Sequence, residues 1–125
     1  AAATTGFDAD PATRVRAAER GLVGAVCETA ADAVRGADLV ILCVPVGAMA
    51  AAARDFAAHL APGVVVSDVG SSKEFVARAL AEALPGVAVI PAHPVAGTER
   101  SGPDAGFASL FARLTSNPTD DNLAR

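Results

Sequence analysis

The sequence has little of what marks secreted, metal-binding, membrane or nucleic-acid-binding proteins. Cysteine is scarce: Cys27 and Cys43 stand 16 positions apart in apolar surroundings, with no CxxC. They read as two reduced, buried thiols of a cytosolic protein rather than a disulfide or a metal pair, and no metal site is expected. No secretory signal is read ahead of them. No apolar run approaches the roughly 20 residues a bilayer span requires, and the longest runs are broken by Asp, Arg and Pro. Blocks of basic charge are missing as well. Ten Lys and Arg lie scattered among fourteen Asp and Glu, for a formal charge of −4 and a pI near 5.0, which argues against a nucleic-acid or polybasic membrane surface. The expectation is a soluble, cytoplasmic chain with no nucleic acid and no membrane as partner.

What the chain has is apolar content, 52% over 125 residues, ample for one domain with a single core. Residues 4–8 read as a strand. Asp10 then offers a cap and Pro11 a first helical residue, so a helix is expected over 11–20, stopped by Gly21. A strand follows at 22–27 and a short helix at 29–35, ended by Gly36. Residues 37–44 contain a continuous apolar run from Leu39 to Val44, the pattern of a strand covered on both faces, as in a parallel sheet. An alanine-rich helix is expected at 48–60. His59 falls in its last turn, where a cation suits the helix dipole and a solvent-facing role is the ordinary one. The cycle repeats with a strand at 64–67, a turn at 68–72, a helix at 73–84 stopped by Pro85-Gly86, and a strand at 87–90. Strands alternating with helices specify an α/β, doubly wound, mostly parallel sheet.

In such sheets ligands lie beyond the carboxyl ends of the strands. The segments there are Asp8, then Pro45 to Gly47, then residues 68–72, then residues 93–102. A carboxylate at the position of Asp8 can accept from ribose hydroxyls and repels a 2′-phosphate, favouring NAD and leaving NADP open; it reads equally well as a turn aspartate working with Asp10. On the strand-to-helix turn DVGSSK, free backbone N–H groups and two hydroxyls can hold a polar ligand atom. Ser72 fits an ordinary helix cap there, and Ser71, nearer the strand end, is the better site candidate. The last segment, HPVAGTERSG, sets an imidazole, a carboxylate, a guanidinium and two hydroxyls on a loop. His93 suits a base working near neutral pH, with a backbone-bonded structural imidazole as the alternative.

DVGSSK at 68–73, followed 20 residues later by HPVAGTERSG at 93–102, resembles the prephenate and arogenate dehydrogenases of tyrosine biosynthesis. ADLVILCVPV at 37–46 and GFDADP at 6–11 fit the same family in the same order, and the resemblance runs from Thr4 to Phe111. It implies a Rossmann-like fold and NAD(P)-dependent oxidative decarboxylation of prephenate or arogenate. By the same resemblance, His93 hydrogen-bonds the ring hydroxyl of the substrate and takes its proton, and Ser71 lies between nicotinamide and substrate. Glu99 belongs to an ionic network closing the substrate pocket, Gly97 allows close backbone approach, and Pro94 fixes the loop entry. Val44, Pro45 and Val46 touch the cofactor, with Asp8, Asp68, Gly70 and Ser71 completing its site. Lys73 and Arg100 read as surface cations. The alternatives are another β-hydroxyacid dehydrogenase relative whose catalyst is a lysine from a later helix, or a non-catalytic Rossmann remnant.

The sequence departs from the family in three places. No GxGxxG phosphate turn is present. In the order 3-2-1-4-5-6 the first strand would lie between residues 4–8 and residues 37–44, and it is missing. After Phe111 the family continues into a helical dimerisation domain that supplies an arginine for a substrate carboxylate, whereas here 112–125 are short and polar. The expectation is therefore a partial nucleotide-binding domain over 1–125, lacking its first strand and the C-terminal helical domain, from an enzyme that is a homodimer as a whole.

Overall fold

Asp10 and Pro11 start the first helix as their chemistry dictates. The computed structural model describes residues 2–94, 100–107 and 109–110, and in it α1 spans Pro11–Glu19. The Asp10 carboxylate accepts from the Ala12 N–H at 3.0 Å and from the Thr13 hydroxyl at 2.9 Å. Proline stands at the position where its missing N–H has no intrahelical partner to lose. Gly21 ends the helix at φ +60°, a conformation open to glycine, with its N–H donating to Ala18 at 3.0 Å and that of Leu22 to Ala17 at 3.1 Å.

The order of elements is β1 (Thr5–Gly6), α1, β2 (Ala25–Val26), α2 (Ala30–Val34), β3 (Leu39–Leu42), α3 (Met49–Phe56), β4 (Val65–Asp68), α4 (Lys73–Ala83) and β5 (Ala88–Ile90). All three strand pairings are parallel, so the expected α/β class is what forms. Several elements are shorter than the sequence suggests. The strands expected at 4–8 and 22–27 shrink to two residues each, and the helix expected at 48–60 becomes α3 between 3-10 turns at Val46–Ala48 and Ala57–His59. Such turns tighten helix ends whose carbonyls and N–H groups lack i→i+4 partners.

The strands form two sheets, β1-β2 and β3-β4-β5, and β1 does not pair with β3. In the doubly wound order these two strands flank the first strand on either side. The break between the two sheets thus falls at that place in the order, and among the described residues β1 and β3 each have one edge without a ladder.

The core lies on one face of the larger sheet. Met49, Ala53 and Phe56 repeat at helical spacing along α3, and Val76, Leu80 and Ala83 along α4; all are buried with Leu42 and Val66 of the strands and with Leu84. On the opposite face, Leu39 and Ile41 of β3 are 53% and 54% exposed. The apolar run of β3 is therefore covered on one side only among the described residues, because α3 and α4 both pack against the side that carries Val40 and Leu42. The chain divides into two units, Ala1–His93 and Pro94–Arg125. In the second, a 3-10 turn at Pro103–Ala105 follows Gly102, and the Leu110 N–H donates to Phe107 at 3.0 Å. Residues 111–125, which carry the expected departure after Phe111, lie outside the described residues.

Candidate active site

Strand register brings two of the four sequence-predicted segments, 45–47 and 68–72, together with His93, the first residue of a third. Leu42 is opposite Asp68, and Ser67 is opposite both Ile41 and Ile90. Neighbouring strands run about 4.8 Å apart, so the chain leaves β3, β4 and β5 side by side on one sheet edge. The Val69 N–H still donates to Leu42 at 3.2 Å, and the Ser67 hydroxyl donates to the Ile90 carbonyl at 2.8 Å, at the last paired position. Val44 and Val46 are half-buried and Pro45 is exposed. Val46 lies against the next turn: a Cβ on Gly70 would come within 3.1 Å of Val46 Cγ2 and 3.0 Å of Met49 Cε. Gly70 is glycine because this approach leaves no room for a side chain.

Asp68, the last residue of β4, is fully buried. Its Oδ2 accepts from the Gly70 N–H at 2.7 Å and from Lys73 Nζ at 2.5 Å, and its Oδ1 accepts from the Ala92 N–H at 3.3 Å. Lys73 Nζ also donates to the Ala92 carbonyl. Both of its carboxylate oxygens are thus engaged by protein groups. The same contacts move Lys73 from surface cation to partner of a buried charge. A sign of this was available in the sequence: Lys73 is the first residue of α4, at the helix end where the macrodipole disfavours a cation. A lysine placed there calls for an anion close by.

Ser71, Ser72 and His93 are exposed. Ser72 stands at the N-cap of α4 but makes no side-chain cap hydrogen bond, contrary to the cap role expected of it. Its ψ of 77° departs from the extended geometry of Asp10 and Thr29, whose side chains do cap. His93 is exposed, and its imidazole makes no hydrogen bond among the described residues. A hydroxyl at Ser71 and an imidazole at His93 are thus open to a ligand at the ends of adjacent strands. A shallow groove lined by Ser72, Lys73, Glu74, Phe75 and Arg78 adjoins this turn along α4.

Asp8 lies apart, beyond β1 in the smaller sheet. Its Oδ1 accepts from the Asp10 N–H at 2.8 Å, which realises the turn reading, and the residue remains exposed and available to a ligand. Arg14, which sequence reasoning missed, holds this turn from behind. Its guanidinium donates to the carbonyls of Asp8 at 2.7 Å and Ala9 at 3.3 Å, pairs with Glu28 at 3.2 Å and lies 5.5 Å from the centre of the Phe7 ring. Gly97 and Glu99 lie outside the described residues. Among those described, no group of three or more His, Cys, Asp or Glu could hold a metal, and no helix is long and apolar enough to cross a membrane.

The sequence matches the family described as the prephenate dehydrogenase nucleotide-binding domain over residues 1–122. It is 47% identical over 105 residues to a cyclohexadienyl dehydrogenase of Zymomonas mobilis, a match covering 84% of this chain and 36% of that protein. Among solved structures, it is similar to an arogenate dehydrogenase of Synechocystis, with a TM-score of 0.78, 28% identity, and coverage of 87% of this chain and 38% of the other. It is also similar to prephenate dehydrogenase of Aquifex aeolicus in complex with hydroxyphenyl propionate and NAD+, with a TM-score of 0.75, 27% identity, and coverage of 86% and 37%. The chain thus spans little more than a third of the length of these relatives.

Proposed function

The chain belongs to the family of prephenate dehydrogenase nucleotide-binding domains, and on that premise we propose that it binds NAD and serves the oxidative decarboxylation of prephenate or arogenate in a cytoplasmic, homodimeric enzyme of tyrosine biosynthesis. The observation that carries the proposal is the single edge on which β3, β4 and β5 end, where half-buried Val44 and Val46, the open hydroxyl of Ser71 and the open imidazole of His93 follow the ends of neighbouring strands. The names of the similar proteins, and NAD+ in one of them, support the same reading.

The residues present fit one part of a dinucleotide better than another. An apolar lip at Val44, Pro45 and Val46 beside hydroxyl and imidazole donors suits a flat nicotinamide ring and the alcohol it reacts with. The exposed Asp8 carboxylate suits ribose hydroxyls and disfavours a 2′-phosphate. No GxGxxG run occurs within residues 1–125. When bound, NAD supplies the hydride acceptor. His93 takes the proton of the ring hydroxyl as hydride leaves the carbinol carbon, and Ser71 orients the reacting groups. Carbon dioxide then departs and its bonding electrons complete the aromatic ring. Gly97 and Glu99, which follow His93 in the sequence, belong to the substrate pocket in this reading.

Titration of the 125-residue chain with NAD and with NADP tests the binding step. Saturable binding that is tighter for NAD is the expected result, and no binding of either would overturn it. For the chemistry, His93→Asn in the enzyme that carries this chain should lower prephenate turnover by about 10²–10⁴-fold, the usual worth of a general base, while NAD affinity is kept. A variant as active as the wild type would remove His93 from the reaction and favour a lysine catalyst from elsewhere.

A further inference from the structure

The ladder between β4 and β5 ends at Ser67 and Ile90, yet the two groups proposed to meet the substrate, Ser71 and His93, lie beyond that point. Side chains continue the connection where backbone pairing stops. The Ala92 N–H is held by Asp68 Oδ1 and the Ala92 carbonyl by Lys73 Nζ. That carbonyl shares a planar peptide with the N–H of His93, so fixing its direction fixes the bond that leads into the His93 Cα. On the other strand, Asp68 Oδ2 holds the Gly70 N–H, one residue before Ser71. A single buried carboxylate and its ammonium partner therefore grip both segments.

We infer that Asp68 and Lys73 are positioning residues that set the His93 imidazole relative to the Ser71 hydroxyl. Neither needs to touch substrate or cofactor to do so. The inference rests on the functional reading above for what the geometry is used for, but the geometric claim stands by itself. Three features make the grip rigid. Asp68 is fully buried, while Lys73 is one-third exposed, so the carboxylate is the fixed member and the lysine stem closes over it. Bonds in which a partner is charged are shorter and roughly twice as strong as neutral ones. The anchor is itself rooted, because Asp68 continues the strand of Val66 and α4 is held by Val76 and Leu80, all three fully buried.

Amide hydrogen exchange in the wild-type chain gives the first test. Ala92 and Gly70 lie outside the ladder, yet their amide protons should exchange as slowly as that of Val89 within β5; exchange at the rate of a free loop would overturn the inference. The second test compares Lys73→Met with Lys73→Arg by nuclear magnetic resonance. His59 is the only other histidine and serves as internal reference. Lys73→Met should shift and split the His93 ring and Ser71 amide signals while leaving those of His59 in place, and Lys73→Arg should restore a single set. Unchanged His93 and Ser71 signals in a folded Lys73→Met chain would overturn the inference; if that variant does not fold, the wild-type exchange measurement decides alone. In the enzyme, Lys73→Met should lower kcat roughly 100-fold, the scale of a 1 Å misplacement, with KM for NAD little changed. Failure of NAD binding or of turnover in the wild type would count against the functional reading and leave the resonance measurements to judge the grip.

Discussion

Replacing Gly70 by alanine isolates the packing of the turn between β4 and α4 from its chemistry. Gly70 does not use a left-handed backbone conformation, so alanine meets no conformational penalty and any effect is steric. Its Cβ would lie 3.0 Å from Asp68 Oδ2, 3.0 Å from Met49 Cε and 3.1 Å from Val46 Cγ2. None of these can retreat freely. The Asp68 oxygen is held by Lys73 and by the Gly70 N–H itself, Met49 is fully buried, and Val46 is packed against the core. Overpacking of this kind costs about 1–3 kcal/mol, which in a unit of this size lowers Tm by roughly 5–20 °C. Thermal unfolding followed by circular dichroism measures it. Gly47→Ala is the control, because a Cβ there meets nothing within 4 Å; its Tm should stay within about 3 °C of wild type. Equal melting temperatures for the two variants would refute the account of Gly70 as a close-approach glycine.

The Asp10 carboxyl is held below its ordinary value, first by the Ala12 N–H and next by the Thr13 hydroxyl. A folded-state value below the unfolded one means that the cap contributes fully above the ordinary carboxylate range and loses its contribution as pH falls through the depressed value. Melting curves should therefore show wild type losing ground in acid against Asp10→Ser, whose hydroxyl caps at any pH, and parallel pH profiles would contradict this. The Cys43 thiol is pushed up, first by the protein crowded round its sulfur and then by the charge of Asp68, although the residue keeps accessible surface. Because the thiolate is the reactive form, the pH midpoint for iodoacetamide labelling of the Cys43 peptide should lie above that of glutathione measured alongside; a midpoint at or below it would contradict the raised thiol.

The parts of this fold that could be read from the sequence are those governed by neighbours a few residues apart. Asp10-Pro11 specifies a helix start through bonds that span two and three residues. Met49, Ala53 and Phe56 declare the inward face of α3 by spacing alone. The location of Ser71 and His93 at strand ends follows from the alternation of strands and helices. The chain was harder to read where distant segments decide the outcome. Lys73 meets Ala92 across 19 positions and Asp68 meets it across 24, and Arg14 meets Glu28 across 14. Ser72 occupies a cap position by sequence, but its ψ of 77° is not the extended conformation in which the hydroxyls and carboxylates of caps bond the helix.

The choice of residue at position 68 follows from the donors that converge on it. Two backbone N–H groups and one ammonium surround a site without access to water, and only an ionised carboxylate offers acceptors to all three while balancing the charge. An asparagine of the same shape has one accepting atom and would turn an NH2 toward either Ala92 or the Gly70 and Lys73 pair, setting donor against donor. A leucine would leave the donors unmet, and each unpaired buried group costs about 1–3 kcal/mol. A buried ion pair is often a weak source of stability, because desolvation offsets its attraction. Here the pair joins two strand ends that carry exposed polar groups and cannot be tied together by core packing. Its contribution is to direction rather than to stability, which is why the carboxylate is fully buried between the two segments and the lysine that looked like surface charge closes over it.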